Sequence, residues 1–201
     1  MTSRRLFLTS CAAAALGLAG CDKLGLPASG GKASFSGTDI TGADYRYSLP
    51  DVGGRMRGND DFKGKVTVVF FGYTQCPDVC PTTMAELAQV KKALGPDGDR
   101  LQGVFITIDP ERDTPDVLRA YVGSFDPAFV ALRGTPEQTA ATAKAFKVFY
   151  AKVPGKDPGS YTMDHTAGSY VFDAEGRVRL FERYGAVGPQ ALTADVKALL
   201  K

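Results

Sequence analysis

The chain has no tryptophan and no basic stripe interleaved with aromatic residues, so the stacking platforms that hold single-stranded nucleic acid find no support. It also lacks an excess of either charge, with 24 Lys and Arg against 22 Asp and Glu. Residues 1–20 carry Arg4 and Arg5 and no acid, so without them cations and anions are equal in number. Electrostatics therefore nominates no nucleic-acid partner. Beyond residue 20, no apolar run approaches the roughly 20 residues that a membrane-spanning helix needs. Cysteine is scarce, limited to Cys11, Cys21, Cys76 and Cys80, and His165 is the single histidine.

What remains is an ordinary globular composition, 44% hydrophobic and 23% charged over 201 residues, which suits one well-buried domain. The first 20 residues differ in kind. Arg4 and Arg5 precede an acid-free apolar run from Leu6 to Gly20, the pattern of a signal peptide. Leu18-Ala19-Gly20-Cys21 resembles a bacterial lipobox, in which Cys21 would be acylated and become the new N-terminus. Ser3-Arg4-Arg5-Leu6-Phe7-Leu8 also resembles a twin-arginine export signal, leaving Sec and twin-arginine routes open. Residues 21–34, rich in Gly, Ala, Ser, Lys and Pro, read as a flexible tether from the lipidated Cys21. The folded domain is expected over residues 35–201, on the extracytoplasmic (periplasmic) face of a bacterial inner membrane.

Within that domain, alternating stretches from Phe35 to Leu49 suggest an N-terminal β-hairpin. Val66–Gly72 is a near-continuous apolar run with β-branched bias, as in a central strand buried on both faces. A helix is expected from Pro81 to about Leu94 and a strand from Gly103 to Asp109. Thr114-Pro115 and Thr135-Pro136 each offer an N-cap followed by proline, opening helices to about Phe125 and Val148 around a strand at Phe129–Arg133. Residues 154–159 look irregular. Residues 167–173 and 177–184 alternate about Asp173-Ala-Glu-Gly176 as a hairpin, and a last helix covers Pro189 to about Leu200. Strands alternating with helices, then a hairpin and a helix, predict an α/β chain with a central mixed sheet flanked by helices, the thioredoxin-like fold.

With Cys11 lost to export and Cys21 to anchoring, Cys76 and Cys80 are the two remaining thiols. In an oxidising compartment such a pair is a disulfide, a redox couple or a metal site. As a staple it would do little, because so short a loop closes little entropy. Proline follows each cysteine and pushes it toward extended geometry, which predicts both thiols outside the regular helix. Cys80 near the helix start and Cys76 in the preceding loop would meet unpaired N–H groups that stabilise a thiolate. In a thioredoxin-like fold the Tyr161–Thr166 segment descends beside that loop, bringing His165 to the cysteines. Two thiolates and an imidazole suit Cu(I), and the imidazole also lets the site hold Cu(II). A three-ligand zinc site with an open position stays possible.

Three motifs together resemble the Sco/SenC proteins: Cys76-Pro-Asp-Val-Cys80-Pro81, Thr107-Ile-Asp-Pro-Glu-Arg-Asp-Thr-Pro115 and Asp164-His165-Thr166. The resemblance runs from about Phe35 to the C-terminus. It implies a copper chaperone for the dinuclear copper site of cytochrome c oxidase subunit II, supplied by a copper donor protein, with Cys76, Cys80 and His165 matching the family's copper ligands. Asp164 and Asp78 stand beside those ligands as groups that would orient His165 or tune the thiols. Asp109, Arg112 and Asp113 match the family's charged loop, and a salt-bridged brace is the expected role. The alternative is a thiol-disulfide oxidoreductase in which Cys76 and Cys80 reduce the cysteines of that client or another. Against it as a sole role stand the C-x-x-x-C spacing and the missing proline before the hairpin.

Overall fold

The computed structural model describes residues 34–201. The expected signal peptide, the acylation site Cys21 and the tether up to residue 33 lie outside the described residues. In chain order the elements are β1 (Thr38–Asp39), β2 (Ser48–Pro50), β3 (Met56–Gly58), β4 (Val66–Gly72), α1 (Val79–Ala93), β5 (Leu101–Thr107), α2 (Pro115–Gly123), β6 (Val130–Leu132), α3 (Pro136–Ala145), β7 (Tyr150–Pro154), β8 (Tyr161–His165), β9 (Gly168–Phe172), β10 (Val178–Arg183) and α4 (Pro189–Leu199).

The main sheet has the order β1-β10-β9-β4-β5-β6. β4 and β5 run parallel in register from Val66↔Leu101 to Gly72↔Thr107, and β6 continues parallel to β5. β9 lies antiparallel on the other side of β4, followed by β10. All seven residues of β4 and of β5 are buried, which is why β4 reads as a near-continuous apolar run, whereas β5 also buries Gln102, whose amide donates to the Gly103 and Ala128 carbonyls. Alternation sends Phe70 and Gly72 of β4 toward α1 and Phe71 to the other face, where its ring meets Phe146 and Tyr170. Phe70, Phe71, Phe105, Phe146 and Phe172 are all fully buried, each worth about 1.5–3 kcal/mol against exposure. This is the mixed α/β, thioredoxin-like arrangement, with the strand-to-helix loop after β4 at its centre.

The helix starts follow local chemistry. Thr114 accepts a hydrogen bond from the Val117 N–H, Thr135 and Gln138 form a reciprocal capping box, and Pro115 and Pro136 each take the first helical position. The Asp173–Gly176 turn also forms as expected: the Asp173 carboxylate accepts from the Glu175 and Arg177 N–H groups, and Gly176 adopts φ 79°.

Four details differ from the expectations. The N-terminal hairpin forms further along the chain, from β2 and β3 around Asp51, whose carboxylate collects the Gly53 and Arg55 N–H groups. β1 instead pairs with the edge of β10, and the Asp195 carboxylate in α4 holds the incoming chain at the Ser36 and Gly37 N–H groups. α1 opens at Val79, so Cys80 lies in its first turn and not outside it. Pro81 is tolerated there because the third N–H of a helix has no partner to lose. α3 stops at Ala145: Lys147 turns left-handed at φ 56°, with Val148 N–H donating to Ala143 O and Lys147 N–H to Lys144 O, a Schellman closure. Finally, the irregular stretch expected at 154–159 is, from residue 155 on, the bend of an unexpected hairpin: β7 and β8 form a two-stranded sheet of their own that pairs Tyr150 with His165.

Candidate metal centre

The segment after β4 carries the thiols. Gly72, the last residue of β4, has no side chain where Cys80 needs room: a Cβ there would lie 2.8 Å from Cys80 Sγ and 2.8 Å from the Phe70 ring. The chain then turns, with Cys76 N–H donating to Tyr73 O at 3.3 Å. Cys80 follows in the first turn of α1, fully buried, and its N–H donates to Cys76 Sγ at 3.4 Å. Cys76 itself is partly exposed. His165 ends β8, and its ring meets Phe70 and Tyr73 edge-on, each centroid 6.0 Å away. Tyr73, Cys76, Pro77, Asp78 and His165 all line an open cleft of about 310 Å³.

The three predicted ligand residues converge. Cys80 Sγ stands 3.6 Å from His165 Nε2, and the donor atoms of Cys76, Cys80 and His165 all lie within 4.8 Å of one another. His165 Nδ1 is 3.0 Å from Thr166 O. Only an N–H can donate to that carbonyl, so Nδ1 is the donor and Nε2 is the ring nitrogen turned toward the thiols. Cys76 is pulled down to about 5, first by the hydrogen bond from the Cys80 thiol, then by the Asp78 and Cys80 backbone N–H groups and by His165, against the opposing effect of burial. The same hydrogen bond and deep burial push Cys80 well above the ordinary thiol range. The metal-free site is therefore one thiolate beside one thiol.

A donor set of two sulfurs and one imidazole, with no carboxylate, suits a soft ion such as Cu(I) and fits poorly with hard oxygen-seeking cations. Among the described residues, no other group of three or more His, Cys, Asp or Glu brings its donor atoms together in this way.

The predicted neighbours divide. Asp78 caps α1 from an exposed position without a side-chain cap bond. Asp164 is exposed, and strand alternation places it on the face of β8 opposite Met163 and His165. The ring of His165 is oriented by the Thr166 carbonyl, a main-chain group that residue-type reasoning passes over. Asp109, Arg112 and Asp113 do form a brace. Asp113, fully buried, accepts from Thr74 N–H, Thr74 Oγ1 and Thr107 Oγ1, while Arg112 pairs with Asp109 through Nε. Sequence reasoning also missed Gly72, whose lack of a side chain makes room for Cys80, and Tyr161, whose hydroxyl donates to Asp109. The glycine that closes an apolar run directly before the thiol loop, and the alternation of Tyr161, Met163 and His165, are the signals that carried them.

Residues 37–201 match the family profile described as SCO1/SenC. A SCO2-like protein of Rickettsia felis is 39% identical over 132 residues, 65% of this chain and 64% of that protein, so the match spans a little under two thirds of that relative's length. The copper-bound structure of Bradyrhizobium japonicum ScoI is 42% identical with a TM-score of 0.69, covering 77% of this chain and 97% of that one. The apo Sco1 protein of Thermus thermophilus is 37% identical with a TM-score of 0.73, covering 83% and 97%.

Proposed function

The chain belongs to the SCO1/SenC family, and from that premise and the geometry of its thiol–imidazole cluster we propose that it is a copper-binding metallochaperone whose ligands are Cys76, Cys80 and His165. The observation that carries the reading is the convergence of these three donors within 4.8 Å, with Nε2 of the imidazole turned toward both thiols. Copper is cargo here. It arrives from a donor protein and leaves by ligand exchange to the dinuclear copper site of cytochrome c oxidase subunit II. Exchange begins at Cys76, the one thiol of the pair that reaches the cleft surface, while the buried Cys80 releases last. Cys21 anchors the protein by lipid to the extracytoplasmic face of a bacterial inner membrane, with residues 22–34 as tether. No helix among the described residues is long and apolar enough to cross a membrane.

Copper titration of the reduced protein tests the ligand set. Wild type is expected to bind Cu(II) with nitrogen hyperfine structure in its electron paramagnetic resonance spectrum. His165→Ala is expected to lose that signal and about 10–100-fold in Cu(II) affinity while both thiols still react. Unchanged Cu(II) binding in the variant overturns the three-ligand assignment.

One observation favours a second reading, thiol-disulfide reduction: Cys76 is a thiolate at neutral pH with a thiol beside it. Cys76 would attack a client disulfide, and Cys80 would then displace it, so that two protein thiols become a disulfide and the client gains two thiols. Mixing the reduced, copper-free protein with an oxidised subunit II fragment, and the copper-loaded protein with a reduced one, separates the two. Client reduction without metal transfer favours the reductase.

A further inference from the structure

The two halves of the donor set arrive on different parts of the molecule. The thiols sit on the segment between β4 and α1, and the imidazole sits on β8, which belongs to a two-stranded sheet separate from the main one. Something must fix the distance between them. Arg112 touches both. Its Nη1 donates to Gln75 Oε1 at 3.0 Å, on the residue before Cys76, and to Tyr161 O at 2.8 Å, at the start of β8. Its guanidinium lies 3.6 Å from the centroid of the Tyr161 ring and 5.8 Å from that of Tyr73, the same Tyr73 that meets the His165 ring edge-on.

The loop that presents Arg112 is itself held. Asp109, its side chain almost wholly buried, accepts from Arg112 Nε and from the Tyr161 hydroxyl at 2.9 Å. Arg133 donates to the carbonyls of Pro110 and Asp113. Asp113 fixes Thr74, two residues before Cys76. On the hairpin side, Lys152 of β7 reaches Glu111 at 2.7 Å. One rigid loop thus grips the thiol segment with one hand and the imidazole-bearing hairpin with the other. A guanidinium does this where an ammonium cannot, because its planar fork serves several acceptors and a ring face at once.

We infer that Arg112 is a positioning residue that sets the separation between His165 and the Cys76–Cys80 pair; what this does to copper rests on the ligand set proposed above, whereas the geometry does not. Nuclear magnetic resonance of the reduced, metal-free protein tests it directly. In wild type the His165 ring protons give nuclear Overhauser effects to the rings of Phe70 and Tyr73. In Arg112→Met, which keeps an unbranched apolar stem and removes the fork, those cross-peaks are expected to vanish. The Phe146–Tyr170 cross-peak from the core, where the centroids are 5.0 Å apart, is expected to persist. Cu(II) affinity is expected to fall about 10–100-fold with Cys76 reactivity retained.

Unchanged His165 cross-peaks in Arg112→Met overturn the inference. Should the core cross-peak vanish as well in that variant, Arg112→Lys decides. A displaced His165 ring on a folded core then supports the fork, and a ring that stays in place overturns it. A displaced His165 ring with Cu(II) binding untouched would leave the positioning role standing and count against His165 as a ligand.

Discussion

Lowering the pH from 7 to 5 should separate Cys76 from an ordinary thiol by its rate of reaction with a small uncharged disulfide. An unperturbed thiol near 9.0 is about 1% thiolate at pH 7, whereas Cys76, near 5, is about 99% thiolate. That roughly 100-fold gain is nearly cancelled by lower intrinsic nucleophilicity. With a Brønsted slope of about 0.45, four pH units of acidity cost about 60-fold per thiolate. The two thiols therefore react at similar speed at pH 7. At pH 5 the ordinary thiol is about 0.01% ionised and Cys76 about half, so Cys76 should be faster by about 80-fold. The assay follows loss of the free Cys76 thiol by mass spectrometry from pH 4 to 9 in fully reduced protein, with Cys76→Ser as the blank. Cys80→Ala removes the hydrogen bond that contributes most to the lowered value, so its rate profile should shift to higher pH. A wild-type midpoint near 8 or 9, or a Cys80→Ala profile that does not move, would refute the account of the thiolate.

Two further expectations concern stability. Glu182 is raised from 4.5 to about 7, first by burial and then by the charge of the neighbouring Asp195 and a hydrogen bond to it. Because the folded state holds this proton more tightly than the unfolded chain, its contribution is complete below pH 4.5 and is lost as the pH rises through 7. Glu182→Gln should flatten that part of the Tm-against-pH curve, and parallel curves for the two proteins would rule the reasoning out. Gly72→Ala should place a methyl group within 2.8 Å of Cys80 Sγ and the Phe70 ring in a strand paired on both sides. The cost is about 1–3 kcal/mol, or a Tm lower by roughly 2–12 °C, and an unchanged melting temperature would show that the site has slack.

The sequence by itself determined the local structure and the identity of the reactive groups. Threonine-proline pairs open α2 and α3 because cap and first-turn geometry depend on a few adjacent residues. The Asp173–Gly176 turn is equally local, and β4 is legible because a strand covered on both faces can be apolar along nearly its whole length. Cys76, Cys80 and His165 stood out through scarcity and spacing. Even there the local rule misplaced Cys80: proline after cysteine argued against helix, but the first turn has no N–H bond for Pro81 to break.

Tertiary structure alone decided the rest, for a common physical reason: each decision depends on which distant segments pair or pack. The pairing of β7 with β8 brings His165 across 85 residues of chain to within 3.6 Å of Cys80. The proton on Nδ1 follows from where the Thr166 carbonyl points. Thiolate character falls on Cys76 and not on Cys80 because one sits at the cleft and receives hydrogen bonds while the other is buried and donates. Arg112 looks like one charge in an acidic-basic loop when read along the chain. In three dimensions it is the side chain that touches both halves of the centre.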